Sequence, residues 1–168
     1  GYDINYGKID YVYGEFGSKT DSVSINAGVD AVFDLDMGDG DDSLFVMSAG
    51  KGSIFRMGSG NDDIITTAGT PQPDESNSGK YTQPEGPFTY YLDDGNDTLT
   101  AYGGHEIVYT GGDMDIDSVN TGDGNDIVYA WGAPQISTGN GNDTIVLHGY
   151  VSADIDTGSG NEIVTMSE

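Results

Sequence analysis

Apolar and polar residues alternate along this chain in short runs, and the runs are separated by polar, glycine-rich turns. Leu35, Phe55, Tyr90, Val119, Ile136 and Ile155 each stand a few residues ahead of such a turn, and Leu44, Ile64, Leu99, Val128, Ile145 and Val164 stand just after one. Alternation with a period of two, filled by branched and aromatic residues, predicts a short strand on each side of every turn. Stripes at 3.6-residue spacing and long runs of Ala, Leu, Glu or Lys are both absent, so no helix is predicted.

The turns are copies of one motif: MGDGDDSL, MGSGNDDI, LDDGNDTL, TGDGNDIV, TGNGNDTI and TGSGNEIV. Their second glycines, Gly40, Gly60, Gly95, Gly124, Gly141 and Gly160, follow one another at 20, 35, 29, 17 and 19 residues. Three intervals lie near nineteen, and the other two read as nineteen plus an insertion. A strand, turn, strand unit of this length cannot bury its own apolar face, whereas stacked copies can. The prediction is an all-β parallel β-solenoid of about 17–20 residues per coil, its coils about 4.8 Å apart around a narrow core. The second reversal of each coil, at SAGKG or HGYVSA, repeats no acid, which predicts one acidic edge and one ordinary edge.

Residues 1–30 lack the motif but alternate well, and read as a divergent first coil or a cap on a solenoid spanning 31–168. A loop is inserted at about 67–89; it carries four of the five prolines and is a candidate binding loop. The stretch GGHEIVYTGG at 103–112 has a nonapeptide rhythm of its own. This coil therefore reads as half a turn longer, with the side of the acidic edge left open beyond it.

Charge narrows the partners. The 168 residues hold 29 Asp plus Glu against 5 Lys plus Arg, a net charge of -24, with no Lys or Arg after Lys80. Nucleic acid and anionic membrane would be repelled, and a cation is the natural partner. Cysteine is absent, which removes disulfides and thiolate metal sites. No apolar run reaches membrane-spanning length and no signal-peptide pattern appears, so membrane insertion is not expected. The chain starts at Gly1 and its last motif abuts Glu168, which reads as a piece of a longer polypeptide.

Stacking the motif would set Asp42, Asp62, Asp97, Asp126 and Asp143 in one column, repelling by roughly 1 to 3 kcal/mol per adjacent pair. A hard divalent cation relieves that repulsion, and calcium, with six to eight oxygen ligands in flexible geometry, fits carboxylates and carbonyls best. The motif holds no His or Cys, so zinc and copper fit poorly.

TGNGNDTIV, MGSGNDDII and TGDGNDIVY resemble the glycine-rich calcium-binding repeat of RTX proteins, with Thr or Met in place of its first glycine. Because the motif comes once per coil, the chain is similar to the one-edged calcium solenoids of giant bacterial surface adhesins of that type. The resemblance implies a right-handed coil and several bound calcium ions. Its side-chain ligands would be Asp42, Asp62, Asp97, Asp126 and Asp143. Its carbonyl ligands would come from Gly38, Gly40, Gly58, Gly60, Gly95, Gly122, Gly124, Gly139, Gly141, Gly158 and Gly160. Glu162 replaces the last aspartate and Asp93 a first glycine, which marks two weaker sites. The resemblance also implies type I secretion to the bacterial surface, with folding when external calcium neutralises the acidic edge.

The function expected is a calcium-dependent structural or adhesive module, with no catalysis. Its clustered acids all lie in the repeat, no nucleophile-elbow pattern is present, and His105 and His148 are far apart in sequence. This argues against a polysaccharide-acting β-helix enzyme. An ice-binding row of Thr and Asn is also disfavoured, because that motif position reads Asp39, Ser59, Asp94, Asp123, Asn140 and Ser159. Two alternatives remain: a self-assembling surface-layer or filament subunit, and a module that binds host glycan or a cell-surface protein through the 67–89 loop. Tyr81, Phe88, Tyr102, Tyr129, Trp131 and Tyr150 are the candidate ligand contacts, since aromatic residues are enriched in binding surfaces.

Overall fold

The computed structural model of the chain describes residues 9–26, 29, 31–67, 72–73, 81–82, 87–111, 115–149 and 152–167. The first strands are β1 (Tyr11–Glu15), β2 (Ser22–Ile25), β3 (Val32–Asp36), β4 (Ser43–Val46), β5 (Ile54–Arg56) and β6 (Asp63–Thr66). Then come β7 (Gln72–Pro73), β8 (Tyr81–Thr82), β9 (Phe88–Tyr91), β10 (Thr98–Ala101), β11 (Glu106–Tyr109) and β12 (Ser118–Asn120). The last are β13 (Ile127–Ala130), β14 (Gln135–Ser137), β15 (Asn140–Gly141), β16 (Thr144–His148), β17 (Asp154–Asp156), β18 (Ser159–Gly160) and β19 (Ile163–Ser167).

Successive strands alternate between two parallel sheets. One runs β1-β3-β5-β9-β11-β13-β16-β19 and the other β2-β4-β6-β10-β12-β14-β17. Each strand is in register with its counterpart one coil away, as in Leu44 opposite Ile64 and Val128 opposite Ile145. This is a parallel β-solenoid, as the repeat predicts. Residues of β1 pair one-for-one with β3, so the chain ahead of residue 31 contributes a coil of the same stack. The two-residue strands β15 and β18 pair inside the turns, and β7 and β8 form a small antiparallel pair within the insertion.

The two inner faces make the core. Leu35, Phe55, Tyr90, Val108, Val128 and Ile145 fill one sheet, and Leu44, Ile64, Leu99, Val119 and Ile136 the other, all buried. Tyr90 stacks on Phe55 with ring centroids 5.6 Å apart, and Phe88 meets Phe55 edge-on at 6.3 Å. The Tyr90 hydroxyl donates to Thr66 Oγ1 at 3.2 Å, which satisfies the polar end of a wholly buried ring.

One expectation is corrected. A single stacking register for all six motifs would put Tyr90 and Val119 in one column, but Tyr90 pairs with Val108, and Val119 with Leu99 on the opposite sheet. The 29-residue interval between Gly95 and Gly124 is therefore one and a half coils. The first three motif turns lead from the β1 sheet to the β2 sheet. The last three lead from the β2 sheet back to the β1 sheet, at the other edge.

Close stacking of turns sets the glycine requirement. A Cβ built on Gly95 would lie 1.6 Å from the Gly60 carbonyl oxygen, at a φ of 142° that side chains avoid. Asp93, with a φ of 66°, is the exception, a side chain held in the left-handed region at a first-glycine position. Asp93→Gly is expected to stabilise the protein by about 1 kcal/mol, the usual cost of that conformation for a non-glycine residue. Gly95→Ala is expected to destabilise it strongly; urea denaturation of both variants checks the pair.

Candidate functional site

The motif acids form two columns, on opposite edges. On the first edge the backbone N–H of each acid donates to Oδ1 of the acid one coil on: Asp21 to Asp42 (2.8 Å), Asp42 to Asp62 (2.7 Å), Asp62 to Asp97 (2.8 Å) and Asp97 to Asp117 (3.1 Å). On the second edge Glu106 donates to Asp126 and Asp126 to Asp143, both at 2.9 Å. Gly160 stacks on Gly141 there, which places Glu162 next in that column. The prediction of one acidic edge with Asp97 and Asp126 as neighbours is therefore wrong, because the half coil between them carries the motif across the molecule.

Beside each acid runs a second column of opposite polarity. The N–H of Asn61 donates to Asp41 Oδ1, that of Asn96 to Asn61, and that of Ile116 to Asn96. On the other edge Asn125 donates to His105 Nδ1, Asn142 to Asn125, and Asn161 to Asn142. The acid binds the coil before it and the amide binds the coil after it, so the Asn-Asp pair ties each turn to both neighbours. Side-chain acceptors, oxygens and the His105 Nδ1, thus satisfy amides of the turns that sheet hydrogen bonds do not reach.

The remaining acid oxygens are not satisfied. Asp42, Asp62, Asp97 and Asp143 are each at most 2% exposed, yet their Oδ2 atoms have no hydrogen-bond partner. Both carboxylate oxygens of Glu106, and Oε1 of Glu162, are in the same condition. Asp126 differs, because the Thr121 hydroxyl donates to its Oδ2 at 2.6 Å. Buried polar atoms normally find partners, so a column of unpartnered anionic oxygens calls for a proton or a cation.

Electrostatics agree. Burial pushes the Asp62 carboxyl up to about 6 and the Asp97 carboxyl up to about 7. Burial, reinforced by the Asp126 carboxylate beside it, raises Glu106 as well. Asp42, Asp93 and Asp126 are raised, also chiefly by burial.

The foreseen glycine ligands all lie in these turns. The carbonyls of Gly38, Gly58 and Gly139 each accept an amide of the next coil, from Ser59, Asp94 and Ser159, which uses one of two lone pairs. Among the described residues no three His, Cys, Asp or Glu side chains cluster tightly enough to hold an ion alone. An ion on either edge would therefore need backbone oxygens.

The aromatic candidates divide. Phe88 is 1% exposed and packs the core, so it is withdrawn as a ligand contact. Tyr81 and Tyr150 lie outside the residues whose side chains are described. Tyr102 stands 63% exposed in the turn before β11. Tyr129 and Trp131 belong to a ladder on the outer face of the β1 sheet. Tyr91, Tyr109 and Tyr129 stack at 4.8 Å spacings, His148 stacks on Trp131 at 4.4 Å, and Arg56 lies 5.7 Å from the Tyr91 centroid. From β9 to β19 the outward positions of this sheet are Thr89, Tyr91, Ile107, Tyr109, Ile127, Tyr129, Thr144, Val146, His148, Ile163, Thr165 and Ser167, with no acid among them.

Sequence reasoning missed Glu106, and with it GGHE as a motif copy in which His105 stands for the amide. It also missed Asp21 and Asp117 as members of the first column. A signal was present: Met37, Met57 and Leu92 precede the turns of the first edge, and Thr121, Thr138 and Thr157 those of the second. Comparison with protein-family models, with curated proteins and with solved structures gave no match.

The raised carboxyls set a pH dependence for the cation-free protein. A folded-state value above the unfolded 3.8 means that the protonated form favours the fold; this stability is complete below about pH 4 and lost as pH rises through the folded values. In chelator, the melting temperature is expected to fall from pH 5 to pH 8, the reverse of ordinary acid denaturation. Thermal melts followed by circular dichroism check this.

Proposed function

We propose that this chain is a non-catalytic, calcium-dependent structural and adhesive module of a secreted or cell-surface protein of RTX type. The observation that carries the reading is the column of buried carboxylate oxygens without partners, Asp42, Asp62 and Asp97 on one edge and Glu106, Asp143 and Glu162 on the other. The donor set is oxygen only and anionic, with glycine turns that bring carbonyls close, and it suits a hard, flexibly coordinated cation. Calcium would be held by Asp42, Asp62 and Asp97 on the first edge and by Asp126, Asp143 and Glu162 on the second, together with glycine carbonyls of adjoining turns. Its charge would replace the protons that the buried carboxyls otherwise require.

Where calcium is scarce, as in a bacterial cytosol, a chain of net charge -24 would resist folding. At extracellular calcium, with the affinity of about 10⁻⁴–10⁻³ M usual for extracellular calcium modules, binding to the folded state alone would drive it to fold. Secretion and folding would then be linked.

For adhesion, the acid-free outer face with its Tyr91, Tyr109 and Tyr129 ladder is the better-supported surface. It is depleted of charge and rich in aromatics, as the centres of protein contact surfaces are. A host glycan or cell-surface protein is the partner class.

Calcium titrated into the chelated protein at pH 7.5 is expected to raise β signal in far-UV circular dichroism cooperatively, with magnesium ineffective. A fold complete in chelator and thermally indifferent to calcium would overturn the reading. Tyr109→Ala with Tyr129→Ala is expected to abolish binding to target cells while leaving the calcium response in place, as cell-adhesion assays would show.

A further inference from the structure

Calcium, on the reading above, would line both edges of the solenoid, and where the two ladders meet decides whether they act together. The first hydrogen-bonded column runs from Asp97 on to Asp117 and the second begins at Glu106, so the two overlap along the two coils formed by β9 to β12 and neither continues beyond them on the other's edge. Below these coils, Asp42 and Asp62 line the first edge. Above them, Asp126, Asp143 and Glu162 line the second. Across the junction the two columns are separated by β10, whose four residues span about 13 Å at the usual rise per residue.

Glu106 opens the second column. It is 1% exposed, no donor reaches either of its carboxylate oxygens, and it stands against the Asp126 carboxylate, within reach of sharing one proton or one cation with it. A Cβ on Gly104 would lie 2.5 Å from Glu106 Oε1, so the carboxylate folds back over its own glycine turn as Asp126 does over Gly124. Gly104 bridges Gly124 as a parallel neighbour. The longer glutamate thus places its oxygens in the turn position that aspartate takes in the next coil.

We propose that Glu106 and Asp126 form an unrecognised divalent-cation site that starts a second ion ladder, so that the two halves of the solenoid load and fold as separate calcium-dependent units. This rests on the calcium reading above. In a solenoid each coil contacts only its neighbours, so a local ladder controls local stability. Ions on the first edge support β3 to β6, and ions on the second support β13, β16 and β19.

The test is amide hydrogen exchange across a calcium titration of the full chain, comparing wild type with Glu106→Gln and Asp62→Asn. Glu106→Gln is expected to raise the calcium midpoint for protection of β13 and β16 by more than about tenfold, the scale on which even outer-sphere partners of a metal act. The midpoint for β4 and β6 should not move, and Asp62→Asn should show the reverse pattern. If Glu106→Gln does not fold at saturating calcium, Asp143→Asn, deeper in the same column, supplies the same readout.

A variant that shifts both halves together would show one cooperative ladder and overturn the proposal while leaving calcium binding intact. Unchanged midpoints everywhere in Glu106→Gln would remove Glu106 as a ligand with the same result. Wild-type protection indifferent to calcium would overturn the proposal and the calcium reading together.

Discussion

Each coil is tied to its neighbour by a carboxylate oxygen that accepts a backbone amide, and the same carboxylate keeps a second oxygen that no donor reaches in most coils. The first contact is a charge-assisted hydrogen bond, worth about 1.5–3 kcal/mol. The second is a buried anionic atom whose cost is of similar size. The two nearly offset, so the column adds little net stability while it stays charged. Protonation removes the second cost, which makes the acidic turns the most pH-sensitive seam of the fold.

The chemistry of the turn follows from stacking. Glycine is required where one turn lies on the carbonyl of the next, as at Gly95 over Gly60. Asparagine and aspartate stand side by side because their side chains bind coils in opposite directions, one forward and one back. Thr121 shows how the motif varies, since its hydroxyl satisfies the second oxygen of Asp126 and lowers that coil's need for another partner. A motif that looks like a metal signature is also a structural zipper, and the unpartnered oxygens are the part that zipping leaves unexplained.

The solenoid divides its surfaces by charge. Both acidic columns sit at edges, where turns expose carbonyls, and the outer face of the β1 sheet from β9 onward carries none of the 29 acids. Stacked tyrosines along that face cost little side-chain entropy and leave a neutral, stiff surface. Segregation of this kind gives one molecule two chemically distinct surfaces, anionic edges and a neutral aromatic face.

Strand positions, the parallel stack, the inward residues and the acid-lined turns were all legible in the chain, because a period of two and a glycine turn act over a handful of residues. Leu35, Phe55 and Tyr90 face the core as their alternation requires, and so do Leu44, Ile64 and Leu99. The edge occupied by each turn was not legible. Adding half a coil preserves every local pattern while moving the next motif to the far side, and the pairing of Val119 with Leu99 rather than Tyr90 is settled only when whole coils stack. Glu106 was hidden for the same reason. Its turn lacks the Asn-Asp signature, and its place in a column exists only because Asp126, twenty residues on, comes to lie against it.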